Sequence, residues 1–218
     1  MINDPHSYPP DFTVLRNRLN ERNPENINLF ERNYARIRAS QEMPAGIFDA
    51  DHLSAIHKHL FQDIYDWAGE FRAVDISKDE TRFLPHDRLN IALKDIHKRI
   101  EKADRFRGSS QDEFADGAAK IVGDLNFAHP FREGNGRTQM AFLKALAGEA
   151  GHTLDVKKLD RQAWIDASIE SSRPNPTYTQ FQRCIRRMAS VERSNDQTLM
   201  KERLTAKREV ERDSDRQR

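Results

Sequence analysis

The sequence predicts an all-α protein interrupted by one small β-hairpin. Seven stretches repeat apolar residues at steps of three and four, the spacing of one helix face. One short stretch, Val74 to Leu84, instead alternates with period two. At 218 residues the chain is long enough for one domain with a real core plus a short appendage.

The elements follow in order. Residues 1–24 read as an irregular lead-in, kept extended by Tyr8-Pro9-Pro10, with a short helix near 13–20. A helix is expected over 26–39. The next covers 49–67, because Leu53, Ile56, Leu60, Ile64 and Trp67 form one apolar face and Asp49 is a ready cap. Val74 and Ile76 alternate with Asp75 and Ser77, Lys78-Asp79-Glu80-Thr81 can turn, and Arg82-Phe83-Leu84 can return. Helices then cover 87–106 (Leu89, Leu93, Ile96, Ile100) and 111–128 (Phe114, Ala118, Ile121, Leu125). Another spans 135–150 and ends at Gly151, a natural C-cap. The last two, 160–171 and 177–190, flank the Pro174-Asn175-Pro176 break. From 191 to 218 apolar residues thin out and charges alternate, as in Lys201-Glu202-Arg203, which predicts a charged helical or disordered tail. The division is therefore a domain over 1–190 and a tail over 191–218.

Composition bounds the function. The net charge of +1 gives no field that argues for nucleic acid or a membrane surface. No apolar run is long enough to span a bilayer, and the N-terminus has no secretory apolar core. One cysteine excludes an internal disulfide and fits a reducing cytoplasm, with export through another type of leader left open. Cys184 lies in helical register with Phe181, Ile185 and Met188 and reads as core. His57, His59, His97 and His152 lack zinc-ligand spacing.

The residues that carry chemistry run from His129 to Thr138: His-Pro-Phe-Arg-Glu-Gly-Asn-Gly-Arg-Thr. A residue before proline is pushed out of the helical region, so His129 sits at a break where its ring can face a cleft. Gly134-Asn135-Gly136 permits a tight turn that brings N–H groups against a ligand. A helix starting there directs free N–H groups and its positive dipole end at the loop, a ready phosphate site. Arg137 can fork onto phosphate oxygens. Glu133 is a hard oxygen ligand suited to Mg²⁺ that also rides on phosphates. Histidine titrates near neutrality and suits proton removal from an attacking hydroxyl. Phe131 reads as an anchor for the loop.

At these residues the chain resembles the Fic family, whose motif is H-x-F-x-(D/E)-G-N-G-R-x-x-R. Every specified position from His129 through Arg137 agrees; the final arginine is replaced by Met140. The likeness extends to Asp4-Pro5-His6-Ser7-Tyr8-Pro9, to Tyr65-Asp66-Trp67-Ala68-Gly69-Glu70 and to Phe71-Arg72-Ala73-Val74-Asp75-Ile76-Ser77-Lys78, which resembles the family's flap. It covers roughly residues 4 to 188. The resemblance implies a Fic-type helical bundle with a hairpin flap, and transfer of AMP from ATP to a hydroxyl side chain (Tyr, Ser or Thr) of a target protein, with a toxin-like role. It implies His129 as the base and Glu133 as the Mg²⁺ ligand. Gly134, Asn135, Gly136 and Arg137 would hold phosphates, with Ser77, Lys78 and Arg132 as further nucleotide contacts. Ile76, Ser77 and Lys78 form the expected docking edge, where an extended target segment pairs by its backbone.

Met140 opens two alternatives: another donor (UMP, another nucleotide or phosphate), or a weakened nucleotide- or protein-binding module. A thioether cannot pair with a γ-phosphate, and Lys144, a turn further on, is the candidate stand-in. No (S/T)-x-x-x-E-(G/N) inhibitory segment is present in the chain. Any inhibitor would be a separate antitoxin-like protein.

Overall fold

The computed structural model describes residues 4, 6–10, 13–78 and 81–191. Among them are seven α-helices and two short antiparallel strand pairs. Helix α1 (Pro24–Ala39) starts two residues before the expected position. The Asn23 side chain accepts from the N–H groups of Glu25 and Asn26, and Pro24 has no donor to satisfy. Helix α2 (Ala50–Phe61) is capped by Asp49, as expected, but stops at Phe61 rather than Trp67. Residues 62–69 leave it as turns, and the Gly69 N–H goes to His57 Nδ1 at 2.8 Å instead of to a helical carbonyl. Ile64, Tyr65 and Trp67 stay buried, so the apolar spacing marked burial and not helix.

The expected hairpin is present as β1 (Ser77–Lys78) paired with β2 (Thr81–Arg82). Asp79 and Glu80 lie outside the described residues. Helix α3 (Leu89–Lys102) is shorter than the 87–106 expected. A 3-10 turn at His86–Arg88 precedes it, and positive φ angles at Asp104, Arg105 and Phe106 break its far end. Helix α4 (Gln111–Ala128) begins with a capping box between Ser110 and Glu113. Helix α5 (Asn135–Glu149) is followed by Gly151 at φ +82°, the left-handed position expected after a helix end. Helices α6 (Arg161–Ser171) and α7 (Thr179–Met188) complete the bundle.

Two expectations are corrected. The short helix near 13–20 is absent. Tyr8 N–H bonds Val14 O and Arg16 N–H bonds His6 O, while the Asn17 side chain ties Leu15 O to Glu21 in a turn. The hairpin is also not alone: β3 (His152–Leu154) pairs antiparallel with β4 (Ala189–Val191). Three residues are too few to display an alternation, and β4 occupies the stretch read as the end of the last helix. The tail reading falls almost wholly on residues 192–218, which lie outside those described.

Helix α4 is the spine, with Phe114, Ala118, Ile121, Val122 and Leu125 all buried. Helices α3, α5, α6 and α7 pack around it. Cys184 is buried in this core, as expected. No described helix is long and apolar enough to cross a membrane.

Candidate active site

The spine helix ends at the candidate base. His129 is the residue after Ala128 and takes a left-handed conformation, φ 44° and ψ 59°. That angle turns the chain sharply into Pro130-Phe131 and carries the imidazole out of the helix axis. Its Nδ1 lies 3.2 Å from Asn126 O. A carbonyl can only accept, so Nδ1 carries the proton and Nε2 presents a lone pair, the form a general base needs. Phe83, just after β2, stacks on the ring with centroids 3.8 Å apart and planes at 16°. Burial there pushes the His129 pKa down to about 4, with the Asn126 carbonyl and Glu133 opposing. The imidazole is thus neutral at physiological pH. The hairpin lies over the base through Phe83, a residue the sequence reading left without a role.

Five residues after His129, at Gly134, the loop becomes the N-terminus of α5. Gly134 caps it at φ +80°, where an added Cβ would stand 2.5 Å from the Phe61 ring. No side chain caps this helix. Its first backbone bond is Thr138 N–H to Gly134 O, which leaves the N–H groups of Asn135, Gly136 and Arg137 outside the helical ladder. A Cβ on Gly136 would meet nothing within 4 Å, so the chain is open beside that glycine. Asn135 supports the loop from within. Its amide accepts from Phe131 N–H at 2.9 Å and donates to Phe131 O at 2.8 Å, so its side chain is engaged within the loop.

Phe131 anchors the loop as expected, buried and stacked on His57 at 3.9 Å. The buried His57 in turn reaches Glu133 O with Nε2 at 3.0 Å while Nδ1 accepts from Gly69 N–H. Burial pushes its pKa down to about 4.

Arg137 sits over the face of Phe61 at 4.8 Å and forms an ion pair with Glu31 of α1. Tyr65 donates its hydroxyl to the other oxygen of that carboxylate. Desolvation raises the Glu31 pKa although the Arg137 charge opposes it. Arg137 Nη1 is buried and has no hydrogen-bond partner among the described residues. Glu31 carried no motif, Tyr65 stands only within the segment 65–70 that resembles the family, and the contacts from Tyr65 through Glu31 to Arg137 were not legible.

The remaining candidates divide. The exposed Glu133 carboxylate accepts from Gly134 N–H at 2.8 Å and lies 3.7 Å from Arg137. Arg132 points away, its Nε 2.6 Å from Asp4 Oδ2, and fastens the leading segment to the loop. Ser77 and Lys78 are exposed on the hairpin and Ile76 is half-buried beside them. Met140, Lys144 and Arg137 line one groove of about 450 Å³ together with Arg32 and Arg36 of α1. Among the described residues no cluster of three or more His, Cys, Asp or Glu side chains could cage a metal. A lone exposed carboxylate beside free helix N–H groups fits Mg²⁺ that arrives on phosphates and keeps its waters.

A helical domain with a neutral imidazole, an open helix N-terminus and an arginine, all beside a hairpin, has the parts for chemistry at a phosphate. The chain belongs to the Fic/DOC family, which matches residues 47–147. It is 37% identical over 171 residues to a protein of Sinorhizobium fredii named probable protein adenylyltransferase y4lH, covering 78% of this chain and 88% of that one. It is 38% identical over 172 residues to the protein adenylyltransferase VbhT of Bartonella schoenbuchensis, covering 78% of this chain and 36% of the relative. It therefore spans about a third of that longer protein. The crystal structure of BepC from Bartonella tribocorum with bound AMPPNP superposes with a TM-score of 0.77 at 26% identity, over 85% of this chain and 96% of that one.

Proposed function

We propose that this chain is a protein adenylyltransferase that moves AMP from ATP to a hydroxyl side chain of a target protein. The observation that carries the reading is the neutral His129 imidazole, with Nδ1 held by Asn126 O, beside the open N-terminus of α5. The target hydroxyl oxygen attacks the α-phosphorus and its proton passes to His129 Nε2. The bond from the α-phosphorus to the bridging oxygen breaks, and pyrophosphate leaves. The free N–H groups at Asn135, Gly136 and Arg137 and the Arg137 guanidinium take the charge that develops on the phosphates. Mg²⁺, held by Glu133, would supply charge neutralisation between phosphates. The related names of the Sinorhizobium and Bartonella proteins support the same class.

The domain is 1–190, working in the cytoplasm. Ser77 and Lys78 contact nucleotide or target, and Ile76, Ser77 and Lys78 form the docking edge. Arg132 acts on the loop through Asp4. Met140 favours a second reading, a donor with no γ-phosphate, because the groove beside Arg137 presents a thioether there. Lys144, Arg32 and Arg36 keep that groove cationic. A separate inhibitor protein would find no arginine at position 140, so it would either inhibit weakly or act by steric block alone.

The test is label transfer to protein from α-labelled and γ-labelled ATP, with His129→Ala as control. Transfer of the α label alone, with a mass gain of about 329 Da for one adenylyl unit, is expected. Transfer of the γ label, or transfer retained in His129→Ala, would overturn the mechanism.

A further inference from the structure

Arg72 lies between the two halves of the site and contacts neither the open groove nor solvent. Its side chain is fully buried. The guanidinium donates only to backbone carbonyls: Nε to His129 O at 2.8 Å, Nη1 to Val74 O at 2.7 Å, and Nη2 to Ala128 O at 3.1 Å and to Leu84 O. Its own N–H bonds Pro130 O at 2.9 Å. Val74 and Leu84 are the two legs of the hairpin, while Ala128 and His129 are the end of α4 and the candidate base.

The arrangement follows from where α4 stops. A helix leaves its last carbonyls without partners and concentrates negative partial charge there. Here the Leu125 and Asn126 carbonyls are taken by His129 itself, and Phe127 O accepts Leu84 N–H at 3.0 Å. The Ala128 and His129 carbonyls are left to Arg72. A planar five-donor fork can span four fixed acceptors in two segments; the single ammonium of a lysine cannot. Among the described residues the one carboxylate near the guanidinium is Asp75, 3.8 Å away and itself largely exposed. Charge pairing therefore does not explain why an arginine is buried here, and the four carbonyls do.

We propose that Arg72 is a positioning residue that locks the hairpin in register with His129, so that a target segment docked on the flap presents its hydroxyl to Nε2. This rests on the function proposed above. It assigns Arg72 no contact with nucleotide or reacting atoms.

The experiment compares wild type, Arg72→Lys and Arg72→Gln in amide hydrogen exchange, ATP·Mg²⁺ affinity and α-label transfer to protein. Released from its anchor, the segment 74–84 opens locally and exchanges faster, while buried α4 keeps its protection. The expected result is at least about tenfold faster exchange across 74–84 and ATP affinity within about threefold of wild type. Label transfer should fall about a hundredfold, the cost typical of a small misplacement far from the chemistry. Unchanged exchange across 74–84 overturns the positioning role whatever the reaction is. So does a fall in ATP affinity equal to the fall in transfer, which would make the segment a nucleotide lid. Loss of protection throughout α4 in both variants overturns it too, by making Arg72 a folding residue. His129→Ala serves as the control for the reaction itself: transfer retained there sinks the proposed base, and the exchange measurement still decides Arg72.

Discussion

Glu31 on α1 and Arg137 at the start of α5 form an ion pair across 106 residues of sequence, and the Tyr65 hydroxyl closes the other side of the carboxylate. The pair sits where the family resemblance places phosphate. Any phosphate on Arg137 must therefore share that cation with a carboxylate already bound to it. Glu31→Gln removes the competing charge but keeps an acceptor for Tyr65. Removing one member of a largely buried pair leaves Arg137 without its close partner and costs stability, so affinity is compared below the melting temperature of the variant. ATP affinity measured by calorimetry is expected to rise about fivefold, which corresponds to about 1 kcal/mol. A fall in affinity would show that Glu31 aims Arg137 instead of competing for it.

The depressed pKa of His129 sets the acid limit of the reaction. A base works when unprotonated, and burial keeps this imidazole neutral down to about pH 4. Single-turnover kcat/KM should stay flat as pH falls from about 8 to about 5 and decline only near 4, because this parameter reports the free enzyme. Phe83 covers the ring. Phe83→Ala should admit water and move the acid limb up by about one unit. An acid limb already at the ordinary histidine value in wild type would mean that the working site is solvated.

The helices were legible because their cores are long and periodic: Leu89, Leu93, Ile96 and Ile100 face the core as their spacing required. The uncapped start of α5 was legible because loop and helix are contiguous in sequence. What stayed hidden is held together at long range. Glu31, Tyr65 and His57 reach the loop from α1, α2 and the turns after α2, and nothing local in their sequence marks those contacts. Arg132 looked like a phosphate ligand by its neighbours, yet Asp4, 128 residues away, holds it. Ile64 and Trp67 kept helical spacing in a non-helical segment because burial and not helix formation selects apolar residues there.

His57 predicts a stability change with pH. Its pKa is 6.5 when unperturbed and about 4 in the fold, because burial disfavours the charged ring. The unfolded chain therefore binds more protons between those values, and stability is lost as pH falls through that window. The full difference is about 3 kcal/mol for this one group. His129 acts in the same direction, whereas the raised pKa of Glu31 opposes, adding stability as pH falls. Urea unfolding at about pH 7 and about pH 5 should show a fall for wild type. In His57→Gln that fall should shrink by about 2 kcal/mol. An identical pH dependence in the two proteins would place the acid sensitivity elsewhere.

Ser77 tests the docking edge. In the hairpin Phe83 N–H bonds Ile76 O at 3.3 Å, and Ser77 faces Arg82 in the next register position. Antiparallel pairs alternate between hydrogen-bonded and non-hydrogen-bonded. The Ile76–Phe83 pair is bonded, so the alternation turns the Ser77 N–H and C=O away from β2, toward the open side of the hairpin. An extended target segment can add there as a third strand without a fixed sequence. Ser77→Pro removes that outward donor and leaves the inner ladder its partners. Label transfer to protein is expected to fall at least about tenfold, equivalent to about 1.4 kcal/mol, while ATP affinity and melting temperature hold. If affinity and transfer fell together, the hairpin would be serving the nucleotide. If neither fell, the target would dock on another surface, and the outward edge of β1 would have no part in recognition.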